Sequence, residues 1–264
     1  MSSRLVFSEG RHTYALDGHR VPGVTTVIRN ATNKPALPPS AAKETALWAA
    51  ANVEALTPMG TDSWVRAATA AYRDAWGASA KRGTLLHDAA RQLVAGEPLE
   101  PVDAEGVQWP DDVIRSAEML ARFMDEWDAQ PVIAERPVFH EAHGWAGTLD
   151  LVADLRDGRR WLLDYKTGKT GVYPEMAMQQ AAYRHATHYQ GVDTTTGELV
   201  DLPMVPVDRA GVVWVRPDFY ELRPVRADDA MYQVFLAMLP VSRWTEWPRE
   251  ETVGEPITVP AVAS

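Results

Sequence analysis

Trp145-Ala-Gly-Thr-Leu-Asp-Leu-Val-Ala-Asp154 and Arg160-Trp-Leu-Leu-Asp-Tyr-Lys166 stand on either side of an Asp157-Gly158 turn. The turn joins strands predicted over 145–155 and 160–166 into a hairpin. Leu149, Leu151, Leu162 and Leu163 are apolar enough to pin both strands in a core. Side chains alternate across a strand, so Asp164 and Lys166 project from one face. The hairpin sets the strand of Asp150 beside them. Two carboxylates and an ammonium then converge inside apolar runs, where an unpaired charge is costly.

The elements around this hairpin set the fold class. A third strand is predicted over 132–140. Before it, Pro110-Asp111-Asp112 starts a helix that carries Val113, Ala117, Leu120 and Trp127 on one face and ends before Pro131. Residues 84–95 form an amphipathic helix. Residues 62–76 form another that Gly77 stops, and 40–56 an alanine-rich one that ends at Pro58. Residues 30–39 read as a loop, and 4–28, including Val21–Ile28, as short strands and turns. After the hairpin, Pro174 opens a helix to about residue 190. Strands follow over 211–217 and 219–225, then a helix over 228–239 and a fraying tail from about 248. The expected fold is α/β, a small mixed sheet with helices on both faces. It comprises a helical portion over 1–130, a sheet core over 131–247 and a tail over 248–264, in one structural domain.

The chain has 264 residues and no cysteine, which excludes disulfides and cysteine-held metal clusters. Any metal must take oxygen or imidazole ligands, which suit magnesium or manganese. The net charge of −10 gives no bulk attraction to nucleic acid, so any such binding needs a local basic groove. No apolar run is long enough for a membrane helix, and Met1–Gly10 lacks the apolar stretch of a signal peptide. A cytoplasmic protein is expected. Trp127, Trp145, Trp161 and Trp214 fit core positions, whereas Trp109, Trp244 and Trp247 look freer.

Phosphodiester hydrolysis needs a cluster of the kind predicted at the hairpin. Carboxylates hold one or two divalent ions, and a lysine beside them orients or deprotonates water or neutralises phosphate charge. The bland alternative is a hairpin with an incidental Asp–Lys pair.

Further motifs lie in order around the hairpin. They are Arg82-Gly-Thr-Leu-Leu-His87, Gly147-x-x-Asp150, Asp164-Tyr-Lys-Thr-Gly168 and Gln179-x-x-x-Tyr183. Together they resemble the RecB-type, lambda-exonuclease-like branch of the PD-(D/E)XK nucleases. The segment Tyr14–Ile28 resembles the leader of phage-encoded members. The likeness is good over roughly 80–190 and loose elsewhere.

The resemblance implies a restriction-endonuclease-like core and a magnesium- or manganese-dependent deoxyribonuclease. It implies Asp150, Asp164, His87 and the Tyr165 backbone carbonyl as metal ligands, with Lys166 as the catalytic lysine. Gln179, Tyr183, Glu135 and Arg82 would contact DNA or brace the site. Gln179 and Tyr183, at i and i+4, share a helix face, and that helix starts at Pro174, just after the catalytic strand. The iron–sulfur cluster of some relatives cannot form here, and no GK[ST] phosphate loop is present. The expected activity is exonucleolytic, from DNA ends, in phage-type recombination, replication or repair. A recombinase or helicase is a possible partner. A structure-specific endonuclease and a catalytically silent DNA-binding module are the alternatives.

Overall fold

The computed structural model describes residues 3–32, 34 and 37–254. Three short strands, β1 (Leu5–Ser8), β2 (Thr13–Leu16) and β3 (His19–Val21), form an antiparallel leader sheet. Helices α1 (Val24–Ala31), α2 (Leu37–Ala51), α3 (Val53–Leu56), α4 (Thr61–Val94) and α5 (Asp111–Glu126) follow. The main sheet then begins with β4 (Gln130–His140), β5 (Trp145–Asp154) and β6 (Arg160–Lys166). The chain continues through α6 (Pro174–Arg184), β7 (His188–Val192), β8 (Leu199–Pro203), β9 (Arg209–Val215), β10 (Tyr220–Val225), α7 (Asp229–Trp244) and α8 (Arg249–Thr252).

The seven-stranded sheet has the order β10-β9-β6-β5-β4-β7-β8. Only β6 and β9 run parallel; the other neighbours are antiparallel. This is the mixed sheet with helices on both faces expected from the order of elements. On one face α1, α6 and α7 cover Val138, Leu149, Val152 and Leu162. On the other, α5 and the second half of α4 cover Leu151, Leu163, Tyr165 and Val213. Adjacent residues Leu162 and Leu163 enter opposite cores, as the period of two requires.

Several elements depart from the sequence expectation. The β-branched run Val24-Thr-Thr-Val-Ile28 is helical, because Val24, Val27 and Ile28 fall on one helix face and bury against α6 and α7. Gly77 stops nothing: α4 runs unbroken through it and through Gly83. Helix α2 begins at Leu37, inside the expected 30–39 loop; residues 33, 35 and 36 of that loop lie outside the described ones. Helix α6 ends at Arg184, not near 190, and the chain turns into the β7–β8 hairpin. The tail contains α8, and residues 255–264 lie outside the described ones. Trp109 is buried, against the expectation of a freer ring, while Trp244 and Trp247 are exposed. Among the described residues no helix is long and apolar enough to cross a membrane.

Candidate active site

The β5–β6 ladder runs from Asp154↔Arg160 to Leu151↔Leu163. One residue further the strands part, and the Asp150 carboxylate takes the place of a backbone carbonyl. Its Oδ2 accepts the Tyr165 N–H at 2.8 Å. Asp150 is thus fixed by a main-chain donor in the neighbouring strand, and little of it is exposed.

The neighbouring strand β4 breaks at the same level. Ala134 pairs with Leu151 and Arg136 with Leu149, while Glu135 between them has φ +49°. That left-handed backbone is sparsely populated for a residue with a side chain and stores strain. The side-chain phase of both strands shifts here. Ile133 and Val138 share one core although five residues apart, and so do Leu149 and Val152, three apart. Strict alternation would separate each pair. The shift lets Glu135 reach His87 on α4: His87 Nδ1 and Glu135 Oε1 are 2.9 Å apart. His87 Nδ1 also lies 3.9 Å from Asp150 Oδ2. One potential ligand atom from each of His87, Glu135 and Asp150 lies within 4.8 Å of the others.

Asp164 is 1 % exposed and sits beside this group in a different set of contacts. Its Oδ2 forms an ion pair with the Lys166 ammonium, and its Oδ1 accepts a 2.7 Å hydrogen bond from Gln179 Nε2 on α6. Asp164 and Lys166 therefore share a face, as their spacing predicts. The Lys166 ammonium also donates to the Tyr165 carbonyl at 3.3 Å. Gln179 braces a carboxylate. Tyr183, one turn on, is buried with its ring over Gly147, where a Cβ would stand 2.5 Å from its Cε1. The glycine of Gly147-x-x-Asp150 thus makes room for the tyrosine of Gln179-x-x-x-Tyr183. Arg82 lies a turn and more before His87 on α4 and pairs with Asp112 at 2.9 Å.

Charge balance follows from this packing. Burial raises the Asp164 carboxyl to about 6, with Lys166 opposing the rise and Asp150 adding to it. Burial likewise raises Asp150, against the pull of His87 and Lys166. Burial alone would lower His87, but the Asp150 and Glu135 carboxylates outweigh it and raise the imidazole to about 9. Three acids packed against two cations form a site whose carboxylates crowd one another, an arrangement suited to a divalent cation.

The predicted residues His87, Asp150, Asp164, Tyr165, Lys166 and Gln179 come together at this spot. Glu135, predicted only as a DNA contact or brace, stands within the potential ligand group. No local signal in the sequence marks it, because its position depends on the backbone irregularity in β4.

No curated protein matches the chain. The sequence profile of the PD-(D/E)XK nuclease superfamily matches residues 64–221, from the first turn of α4 into β10, a stretch that contains every residue of the site just described. With more than half of its length matched, and a mixed sheet flanked by helices as its core, the chain belongs to the PD-(D/E)XK nuclease superfamily.

Proposed function

We propose that the protein is a magnesium- or manganese-dependent DNA exonuclease that hydrolyses phosphodiester bonds from DNA ends. The convergence of His87, Glu135 and Asp150 beside the Asp164–Lys166 pair carries this reading. The donors fit the metal: carboxylate oxygens suit hard divalent cations, and one imidazole is compatible with manganese. Asp150, Glu135 and His87 would hold an ion, with Asp164 and the Tyr165 carbonyl completing its shell. A bound divalent ion supplies Lewis acidity toward a phosphoryl oxygen and makes water a better nucleophile.

The chain's own residues do the rest. The Tyr165 N–H fixes the orientation of Asp150, and Gln179 fixes that of Asp164. Lys166, 30 % exposed at its side chain and tethered to Asp164, neutralises charge on the scissile phosphate. In this reading the helical portion, 1–130, contributes His87 to the metal site, and the sheet core, 131–247, supplies the other ligands and Lys166. Preference for ends, and service in phage-type recombination, replication or repair beside a recombinase or helicase, rest on the motif resemblance.

Cleavage of linear duplex and covalently closed circular DNA, with magnesium, with manganese and with chelator, tests the reading. Linear DNA should be degraded with either metal and untouched in chelator. Undiminished cleavage in excess EDTA removes the metal mechanism. Equal rates on closed circles replace the exonuclease with an endonuclease, and no cleavage under any condition leaves a DNA-binding module.

A further inference from the structure

A cleft of about 280 Å³ is lined by chain neighbours of the catalytic cluster. Leu86, in its wall, precedes His87, and Thr167 follows Lys166. Arg216 follows β9, whose Trp214 pairs with Lys166 across the parallel ladder. The half-buried indole of Trp76 lines it, together with the buried Leu86 and Val113.

Three cations, Arg82, Lys169 and Arg216, line the same cleft in a protein of net charge −10. Two carboxylates, Glu44 and Asp112, line it as well. Asp112 is engaged by Arg82 Nε at 2.9 Å. Arg82 keeps further donors free of that pair, and Arg216 spends one nitrogen on the Thr167 carbonyl at 2.6 Å. Lys169 is exposed and has no acidic partner among the described residues.

We propose that this cleft receives a single DNA strand at the nucleotide next to the scissile phosphate, with a base stacked on Trp76 and backbone phosphates held by Lys169 and Arg216. The inference rests on the nuclease reading for the identity of the substrate. A flat aromatic face flanked by cations is the chemistry that holds single-stranded nucleic acid irrespective of sequence. An unpaired base is free to stack on the indole, whereas a base in a duplex is already stacked on its neighbours.

The test is equilibrium binding of a fluorescein-labelled oligothymidylate and of a blunt duplex, in chelator so that nothing is cut. The full chain, Trp76→Ala, Trp76→Phe and Lys169→Ala are compared, each with its melting temperature. Trp76→Ala should weaken single-strand binding about tenfold, and Trp76→Phe should restore most of the loss. Lys169→Ala should flatten the salt dependence by about 0.7 in log–log slope, the share of one phosphate on a single strand. Duplex affinity should change little in any variant. Unchanged single-strand binding in Trp76→Ala and Lys169→Ala, or equal losses on strand and duplex, overturns the proposal. If Trp76→Ala melts early, Trp76→Phe and Lys169→Ala decide alone. Failure of the nuclease reading is seen separately, as absence of cleavage by the unaltered protein with either metal.

Discussion

The β4–β5–β6 core and the arm formed by α2, α3 and the first half of α4 are held in opposite ways. In the core, Leu149, Leu151, Leu162 and Leu163 are closed off on the two sheet faces, and polar groups such as Asp150 and Asp164 are fixed by named donors. In the arm, α2 buries no residue, and the first half of α4 buries only Ala68 and Ala71. Leu47, Val53, Trp64 and Val65 remain substantially exposed. Helix α4 spans both regimes: its second half buries Leu85, Leu86, Ala89 and Ala90 and positions His87. The groups proposed for chemistry sit where packing leaves no freedom. Of the groups proposed for guiding a strand, Trp76 belongs to the arm, while Lys169 and Arg216 follow the core strands β6 and β9.

The largest effect should come from the rigid side. Asp150→Ala and Asp164→Ala should each reduce cleavage to background and weaken metal binding in a calorimetric titration. Lys166→Ala should lower the rate by about 10²–10³-fold while leaving metal affinity intact or slightly raised, since it removes a repelling charge and no ligand. His87→Ala should fall between, with partial recovery at high manganese. Wild-type rates in Lys166→Ala would make Asp164-Tyr165-Lys166 an incidental strand sequence.

One substitution made in both regions sharpens the contrast. Gly147→Ala pushes a methyl group into the buried Tyr183 ring and should destabilise by about 1–3 kcal/mol in denaturant unfolding. Gly77→Ala meets nothing within 4 Å and replaces the poorer helix former, so it should stabilise by about 0.5–1 kcal/mol. Loss of stability in Gly77→Ala would mean that the arm is packed more tightly than its exposure suggests.

The smallest effect concerns protons. Burial, with His143 and His185 nearby, holds His140 down from 6.5 to about 4, so the folded chain binds its proton less readily than the unfolded one. Its contribution to stability is complete above 6.5 and is lost as pH falls through that value toward 4. The melting temperature of His140→Asn should therefore fall less steeply over that window than that of the parent. Equal slopes would assign the acid sensitivity to other groups.

The hairpin was legible because local signals agreed there. Leucine pairs, an Asp157-Gly158 turn and the Asp164–Lys166 spacing all pointed to one geometry, and Gly158 does take a positive φ. The start of α6 at Pro174 and the apolar face of α5 were legible for the same reason. The β7–β8 hairpin is hidden because the helix opened at Pro174 reads on to about residue 190, over the start of β7. Its turn signal, Asp193-Thr-Thr-Thr-Gly197, was present: the Asp193 carboxylate accepts the Thr195 and Thr196 N–H groups. Helix α1 was hidden because β-branched residues favour strands until a buried helical stripe outweighs that preference. The place of Glu135 beside His87 is a tertiary fact, brought about across 48 residues of chain.

The kink at Glu135 bears on engineering. A regular strand grafted into another sheet would keep strict alternation, and its carboxylate would point away from an approaching helix. Anyone moving this site to a new scaffold has to move the irregular backbone with it and supply the same break in the adjoining strand. Replacing Glu135 by glycine would ease the backbone and delete the carboxylate in a single step. Comfort and chemistry compete at that position, and a design method that scores backbone ideality alone will choose comfort.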